Sequence, residues 1–100
     1  MSSGKRDVTK EVEMMKAVTE VLLQRRENPG IDSEQLLKLA TRFIAREGSP
    51  ESKIYMVAAA SKAVTLIEKN SRLTDKEVIR SVMDDLPRMT EDINSNNFPT

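Results

Sequence analysis

Arginines and carboxylates are the side chains of this protein that could carry chemistry, because the chain contains no histidine and no cysteine. Histidine is the commonest general base and metal ligand, and the cysteine thiolate is both a nucleophile and a zinc ligand. The three glycines, Gly4, Gly30 and Gly48, are isolated, so neither type of glycine-rich phosphate loop is present. A Ser-His-Asp triad and a phosphate loop are therefore excluded. We expect a protein that is not an enzyme and that has no cofactor and no metal.

Carboxylates occur as neighbours at Asp84-Asp85 and Glu91-Asp92. Adjacent residues on a helix point in different directions, so such pairs do not build a site in which two carboxyl groups share a proton. We interpret both pairs as solvated surface charge.

Four arginines form the one basic cluster that the pattern could bring together. Arg25 and Arg26 close the first predicted helix, and Arg42 and Arg46 lie one turn apart on the second. If the two pairs met across a bundle, they would form a basic patch able to hold a phosphate or a carboxylate. The 16 basic and 16 acidic residues give a net charge of zero, however, so a general attraction to nucleic acid is missing. Nucleic-acid binding through these arginines is therefore an alternative to protein binding.

Two helices are predicted in the first half of the chain, where apolar residues recur at spacings of three and four. Pro29 and Gly30 end the first helix. The second starts at Asp32, with Gln35 three residues later as in a capping box, and Gly48 is placed for a left-handed C-terminal residue. The apolar positions of the first helix are Val8, Val12, Met15, Val18 and Leu22. Those of the second are Leu36, Leu37, Ala40, Phe43 and Ile44.

Two further helices are predicted in the second half. The third has Ser49 as its cap and Pro50 at its first position, and it runs to about residue 70. The fourth opens with a capping box formed by Thr74 and Glu77. Pro87 should end or kink it. Its apolar positions before that point are Val78, Ile79, Val82, Met83 and Leu86.

These patterns predict an all-α fold, an antiparallel four-helix bundle. Met89 and Ile93 continue the periodicity after Pro87, so we expect either a kink there or a short fifth helix. Residues 1–100 should form a single domain with loose termini at 1–6 and 95–100. No apolar run approaches the ~18 residues of a membrane span and no apolar signal core is present, so we expect a cytoplasmic protein. Six residues should be largely buried: Leu37, Phe43, Val57, Val64, Val82 and Leu86.

The segment IYMVAAASKAV, residues 54–64, is apolar nearly all round the third helix. A core-facing helix buries about a third of its circumference or somewhat more. The line through Ile54 and Val57 and the neighbouring line through Met56 and Ala60 suffice for that. We expect the remaining side to be covered by the segment after Pro87 or by a second copy of the chain. The candidate partner-binding residues are Tyr55, Ala58, Ala59, Leu66, Met89 and Ile93.

Residues 28–78, from NPGID to NSRLTDKEV, resemble the pediocin- and enterocin-type bacteriocin immunity proteins in helix order and loop positions. That resemblance implies a cytoplasmic four-helix bundle with a loose C-terminal tail and no catalytic residues. From the residues alone we favour a non-catalytic protein that acts by binding another protein, as a regulator, adaptor or chaperone-like component, with a homodimer as one form of such binding. An immunity-type protein is an alternative within the same non-catalytic class.

Overall fold

The computed structural model describes the backbone of residues 8–96 and the side chains of residues 8–94. That part contains four helices and no strand: α1, Val8–Glu27; α2, Ser33–Glu47; α3, Lys53–Lys69; and α4, Asp75–Asn96. The all-α prediction is confirmed. The loose terminus predicted at 1–6 and residues 97–100 of the one predicted at 95–100 lie outside the described residues. Residues 95 and 96 belong to α4, so the prediction of a loose segment was wrong for these two. None of the four described helices has both the length and the apolar composition needed to cross a lipid bilayer.

Local hydrogen bonds fix two of the predicted helix starts. The Oδ1 of Asp32 accepts a hydrogen bond from the backbone N–H of Gln35 at 2.8 Å, which caps α2. At the start of α4 the Oγ1 of Thr74 accepts from the N–H of Glu77 at 3.1 Å. The Oε1 of Glu77 accepts in return from the N–H of Thr74 at 2.9 Å. The capping box of Thr74 and Glu77 is confirmed with both of its hydrogen bonds, and Asp32 is confirmed as the cap of α2 through the bond from the Gln35 N–H.

The start of α3 differs from the prediction. Ser49 does not cap it, and the regular helix begins at Lys53, after a turn in which the Ser49 carbonyl accepts from the N–H groups of Ser52 and Lys53. The Oγ of Ser49 is bonded instead to the Oε1 of Glu13 on α1, at 3.2 Å, and its N–H points to the same oxygen at 3.3 Å. These contacts hold the α2–α3 turn against α1.

Gly48 is needed for space and not for a left-handed backbone. Its φ is −80°, in the extended region, whereas Gly30 has a φ of 86°. A Cβ at position 48 would lie 2.8 Å from the carbonyl oxygen of Ile44 and 2.8 Å from the Sδ of Met56. The prediction of a left-handed Gly48 was wrong; the missing side chain lets α3 approach the end of α2.

Pro87 neither ends α4 nor separates a fifth helix in the described residues. The helix runs through it from Asp75 to Asn96. Val82 and Leu86 before the proline and Met89 after it are all buried on the core side. Pro87 itself is exposed, so the carbonyl group that loses its partner lies on the solvent side. Packing of the core face on both sides of Pro87 offsets the missing backbone hydrogen bond.

Contacts between the ends of the helices show that consecutive helices are antiparallel. The Oγ of Ser33, at the start of α2, donates to the Oε2 of Glu68 near the end of α3, at 3.1 Å. The Oη of Tyr55, near the start of α3, donates to the Oδ1 of Asn94 near the end of α4. The Glu13–Ser49 contact likewise places the end of α2 beside the first half of α1. α1 and α3 are therefore parallel, and both contact the other three helices, whereas α2 and α4 do not touch.

Buried alanines lie on both α1 and α3, whose mutual contact is the most extensive in the bundle. Ala17 of α1 and Ala59, Ala60 and Ala63 of α3 are fully buried. Small side chains let neighbouring helix backbones approach closely, and the close approach puts α3 at the centre of the fold. The three consecutive alanines in IYMVAAASKAV are thus mostly core; Ala58 is half-buried.

The predicted core residues divide into two groups. Val64, Val82 and Leu86 are buried, as expected. Leu37 and Phe43 are only half-buried, and Val57 is 39% exposed, so the prediction was wrong for these three. The error at Val57 has one cause. α3 turns the side that carries Tyr55, Met56 and Ala59 toward its neighbours, and the line through Ile54 and Val57 faces solvent.

Candidate protein-binding groove

Four of the predicted partner-binding residues lie on a covered side of α3, and the other two, Met89 and Ile93, lie on the segment of α4 that covers it. Met89 is buried and Ile93 half-buried against the core, and the hydrogen bond from Tyr55 to Asn94 ties the same segment of α4 to α3. The part of α4 after Pro87 therefore covers this side, which was one of the two covers expected. Tyr55, Ala59 and Met89 are buried; Ala58, Leu66 and Ile93 are half-buried. Binding at these residues would require α4 to move, and it stays a prediction.

Arg25 and Arg26 both bind Asp75, the first residue of α4. The Nη2 of Arg25 donates to Oδ1 at 2.7 Å, and the Nη2 of Arg26 donates to Oδ2 at 2.5 Å. The hydrogen bond from Arg25, with a second one from Arg26, holds the pKa of the Asp75 carboxyl below its ordinary value despite the opposing effect of burial. These arginines connect the end of α1 to the start of α4.

Arg42 and Arg46 lie at the other end of the bundle. Because α1 and α2 are antiparallel, the last turns of α2 lie beside the first half of α1, far from Arg25. The Nε of Arg46 donates to the Oε2 of Glu47 at 3.1 Å, and its guanidinium lies 5.9 Å from the centre of the Phe43 ring. The four arginines thus form two separate pairs, and the structure does not bring them into a single patch.

An open groove of about 380 Å³ lies between α1 and α2. Val12 on α1 is 49% exposed. The side chains of Met15 and Phe43 each pack one edge against the core and turn the other edge toward the groove. The lining residues are Val12, Met15, Lys16, Thr19, Glu20 and Phe43. The groove is mainly apolar, with one charge of each sign at its edge.

The groove belongs to a longer apolar strip along the outside of α1. Val8 is 63% exposed and Leu23 is 38% exposed, and both lie on the same side of the helix as Val12 and Thr19. From residue 8 to residue 23 this strip is about 22 Å long at 1.5 Å per residue. We call Val8, Val12, Met15, Thr19 and Leu23 the outer strip of α1.

Three of the five residues of the outer strip, Val8, Val12 and Met15, were predicted to face the core, although the sequence also contains a second apolar stripe on α1. The buried residues of α1 are Met14, Ala17, Val18, Val21 and Leu22. They form a complete stripe with spacings of three, four, seven and eight. α1 therefore has two apolar faces, and the expected core face, drawn through Val8, Val12 and Met15, combined parts of both.

No group of three acidic side chains converges within the described part of the chain. The Glu13 carboxylate on α1 accepts hydrogen bonds from both the N–H and the Oγ of Ser49 in the α2–α3 turn. The N–H of Ser49 is the main reason that the pKa of the Glu13 carboxyl lies below its ordinary value. The hydrogen bonds between Glu13 and Ser49 hold the end of α2 and the start of α3 against α1.

Comparison with known proteins assigns no function to the chain, so a functional proposal must rest on the geometry of the groove. No family model, no curated protein and no solved structure matches the chain. The resemblance of residues 28–78 to bacteriocin immunity proteins therefore stays a hypothesis.

Proposed function

We propose that this protein is non-catalytic and acts by binding another protein, as a regulator, adaptor or chaperone-like component. The observation that supports the proposal is the outer strip of α1, which continues into the groove beside Phe43. Single apolar residues on a surface are ordinary, but a contiguous apolar strip bordered by charges is typical of an interaction site. The exposed fractions of Val8 and Val12, 63% and 49%, are large for valines on a helix that has a complete buried face of its own.

The shape of the site favours a protein over a small molecule. Pockets for small ligands bury most of the ligand surface, whereas this groove is open along one side and shallow. An amphipathic helix lying along α1 and α2 would instead place apolar side chains at successive turns over Val12 and Phe43.

Site-specific photocrosslinking in the native host tests this proposal. A photoreactive amino acid replaces Thr19, which lines the groove, or in the control Thr65, which is exposed on the opposite side of the bundle on α3. We expect one defined protein to be crosslinked from position 19 and not from position 65. Adding Val12→Glu should abolish that product, while Val57→Glu on α3 should leave it unchanged. An absent product at position 19, or equal products at both positions, would contradict the proposal.

The two alternatives have tests of their own. Protection of a sensitive strain against pediocin-type bacteriocins would support the immunity-type function. Salt-sensitive binding to nucleic acid, lost in an Arg42→Ala, Arg46→Ala variant, would support the nucleic-acid alternative. Because Arg25 and Arg26 lie far from Arg42 and Arg46, the nucleic-acid alternative has no support from a combined basic patch.

A further inference from the structure

The outer strip of α1 carries one basic and one acidic residue on the same edge. Lys16 and Glu20 are one turn apart and both line the groove. Glu20 accepts a hydrogen bond from the Nε2 of Gln24 at 2.7 Å. Within residues 8–94, neither Lys16 nor Glu20 takes part in an ion pair of 4 Å or less. Lys16 is near enough to Glu13 to help lower the pKa of that carboxyl, but both Lys16 and Glu20 border the groove and can meet a molecule that docks there.

We propose that two copies of this chain associate through the outer strips of α1, antiparallel about a two-fold axis level with residue 18. This inference rests on the proposed function, because it uses the same binding surface. It names a second copy of the chain as one molecule that binds there. In such an arrangement Lys16 of each copy lies opposite Glu20 of the other, because the two residues are equally far from the axis. A single pair of residues thereby makes two ion pairs, as a self-complementary interface requires.

The rest of the strip fits the same two-fold axis. Val12 of one copy lies level with Gln24 of the other, one residue from Leu23, so these two exposed apolar side chains can contact each other. Glu27, the next acidic residue on this edge, lies level with Thr9 of the partner copy, so no acidic side chain lies level with it. The whole chain has no net charge, so two copies do not repel each other over long distances.

The dimer should be weak. A contact between two helices over about 22 Å falls well short of the ~800 Å² per partner of a standard stable interface. We expect dissociation in the micromolar range or weaker, so that a tighter-binding partner protein can displace the second copy from the same strip.

Substitutions that reverse the charges of Lys16 and Glu20 test the proposed dimer. Sedimentation equilibrium over a series from micromolar to millimolar protein gives the dissociation constant. Lys16→Glu and Glu20→Lys should each weaken dimerisation by about tenfold, since each opposes like charges twice. The double variant should restore the wild-type constant. Lys38→Glu, on an exposed part of α2 away from this edge, is the matched control and should change little.

The possible outcomes distinguish failure of the dimer from failure of the proposed function. A wild-type protein that stays monomeric throughout the series, or a double variant that is not restored, overturns the dimer. If position 19 still crosslinks a different protein in that case, the proposed function stands and only this inference fails. Melting curves of all variants at low concentration show that each is folded before its association is measured.

Discussion

At the residue scale, Asp75 joins two helices through both of its oxygens. It accepts hydrogen bonds from Arg25 and Arg26, which end α1, while it begins α4. Arg25 is the more deeply placed of the two arginines, with 21% of its side chain exposed. Its Nη1 is buried without a hydrogen-bond partner among the described residues. Removing Asp75 would therefore leave a largely buried guanidinium without its counter-charge, a costly change in a small domain.

Asp75→Asn should lower the free energy of unfolding, and the loss should depend on pH. The pKa of Asp75 is lowered in the folded protein, so its contribution is complete above the unfolded pKa of about 4. The contribution disappears as the pH falls through the folded pKa. The difference between wild type and variant should thus be constant near neutral pH and shrink below about pH 4, as measured by urea unfolding. Asp92→Asn, which removes an exposed pair with Arg88, should change the free energy of unfolding little at any pH.

At the scale of the element, α4 shows how packing can override a strong helix breaker. Pro87 removes one backbone hydrogen bond, yet Leu86 and Met89 on either side of it are buried on one face. The Oγ1 of Thr90 bonds the carbonyl groups of Leu86 and Pro87, both at 3.0 Å, next to the interruption. The second half of α4 can therefore reach Tyr55 and cover α3.

Pro87→Ala should stabilise the protein. The substitution restores an N–H donor at an exposed position where proline is unfavourable by up to about 3 kcal/mol. We expect a rise in the unfolding free energy of about 1–3 kcal/mol in urea titration, with unchanged helix content. If stability fell instead, a proline-dependent bend would be needed to seat Met89 and Ile93, and our account of α4 would be incorrect.

At the scale of the whole molecule, α3 contacts all three other helices and α1 is its main neighbour. The fully buried Ala59 and Ala60 allow that contact to be close, whereas Ala58 is turned partly outward. Two adjacent alanines on one helix therefore occupy different environments, and this difference identifies which side of α3 forms the core.

Ala59→Arg should prevent folding, and Ala58→Arg should not. A long charged side chain at position 59 would have to displace a neighbouring helix or be buried without a partner. At position 58 it can extend into solvent. Circular dichroism should show a cooperative transition for Ala58→Arg and none for Ala59→Arg. A folded Ala59→Arg protein would mean that α3 is rotated relative to the arrangement described above.

The sequence by itself determined the four helices and two of their starts, because helices and caps form between residues three and four positions apart. Asp32 with Gln35, and Thr74 with Glu77, are such local pairs. It also excluded the catalytic groups that need histidine or cysteine. Only the tertiary structure decided which apolar face of α1 and of α3 is buried, because each helix has more apolar surface than one core can cover. Rotation of a helix about its axis changes no local hydrogen bond, so it is set by the neighbouring helices. For the same reason packing alone decided that Val12 borders a groove, that Ala59 lies in the core, and that Arg25 meets Asp75 and not Arg42.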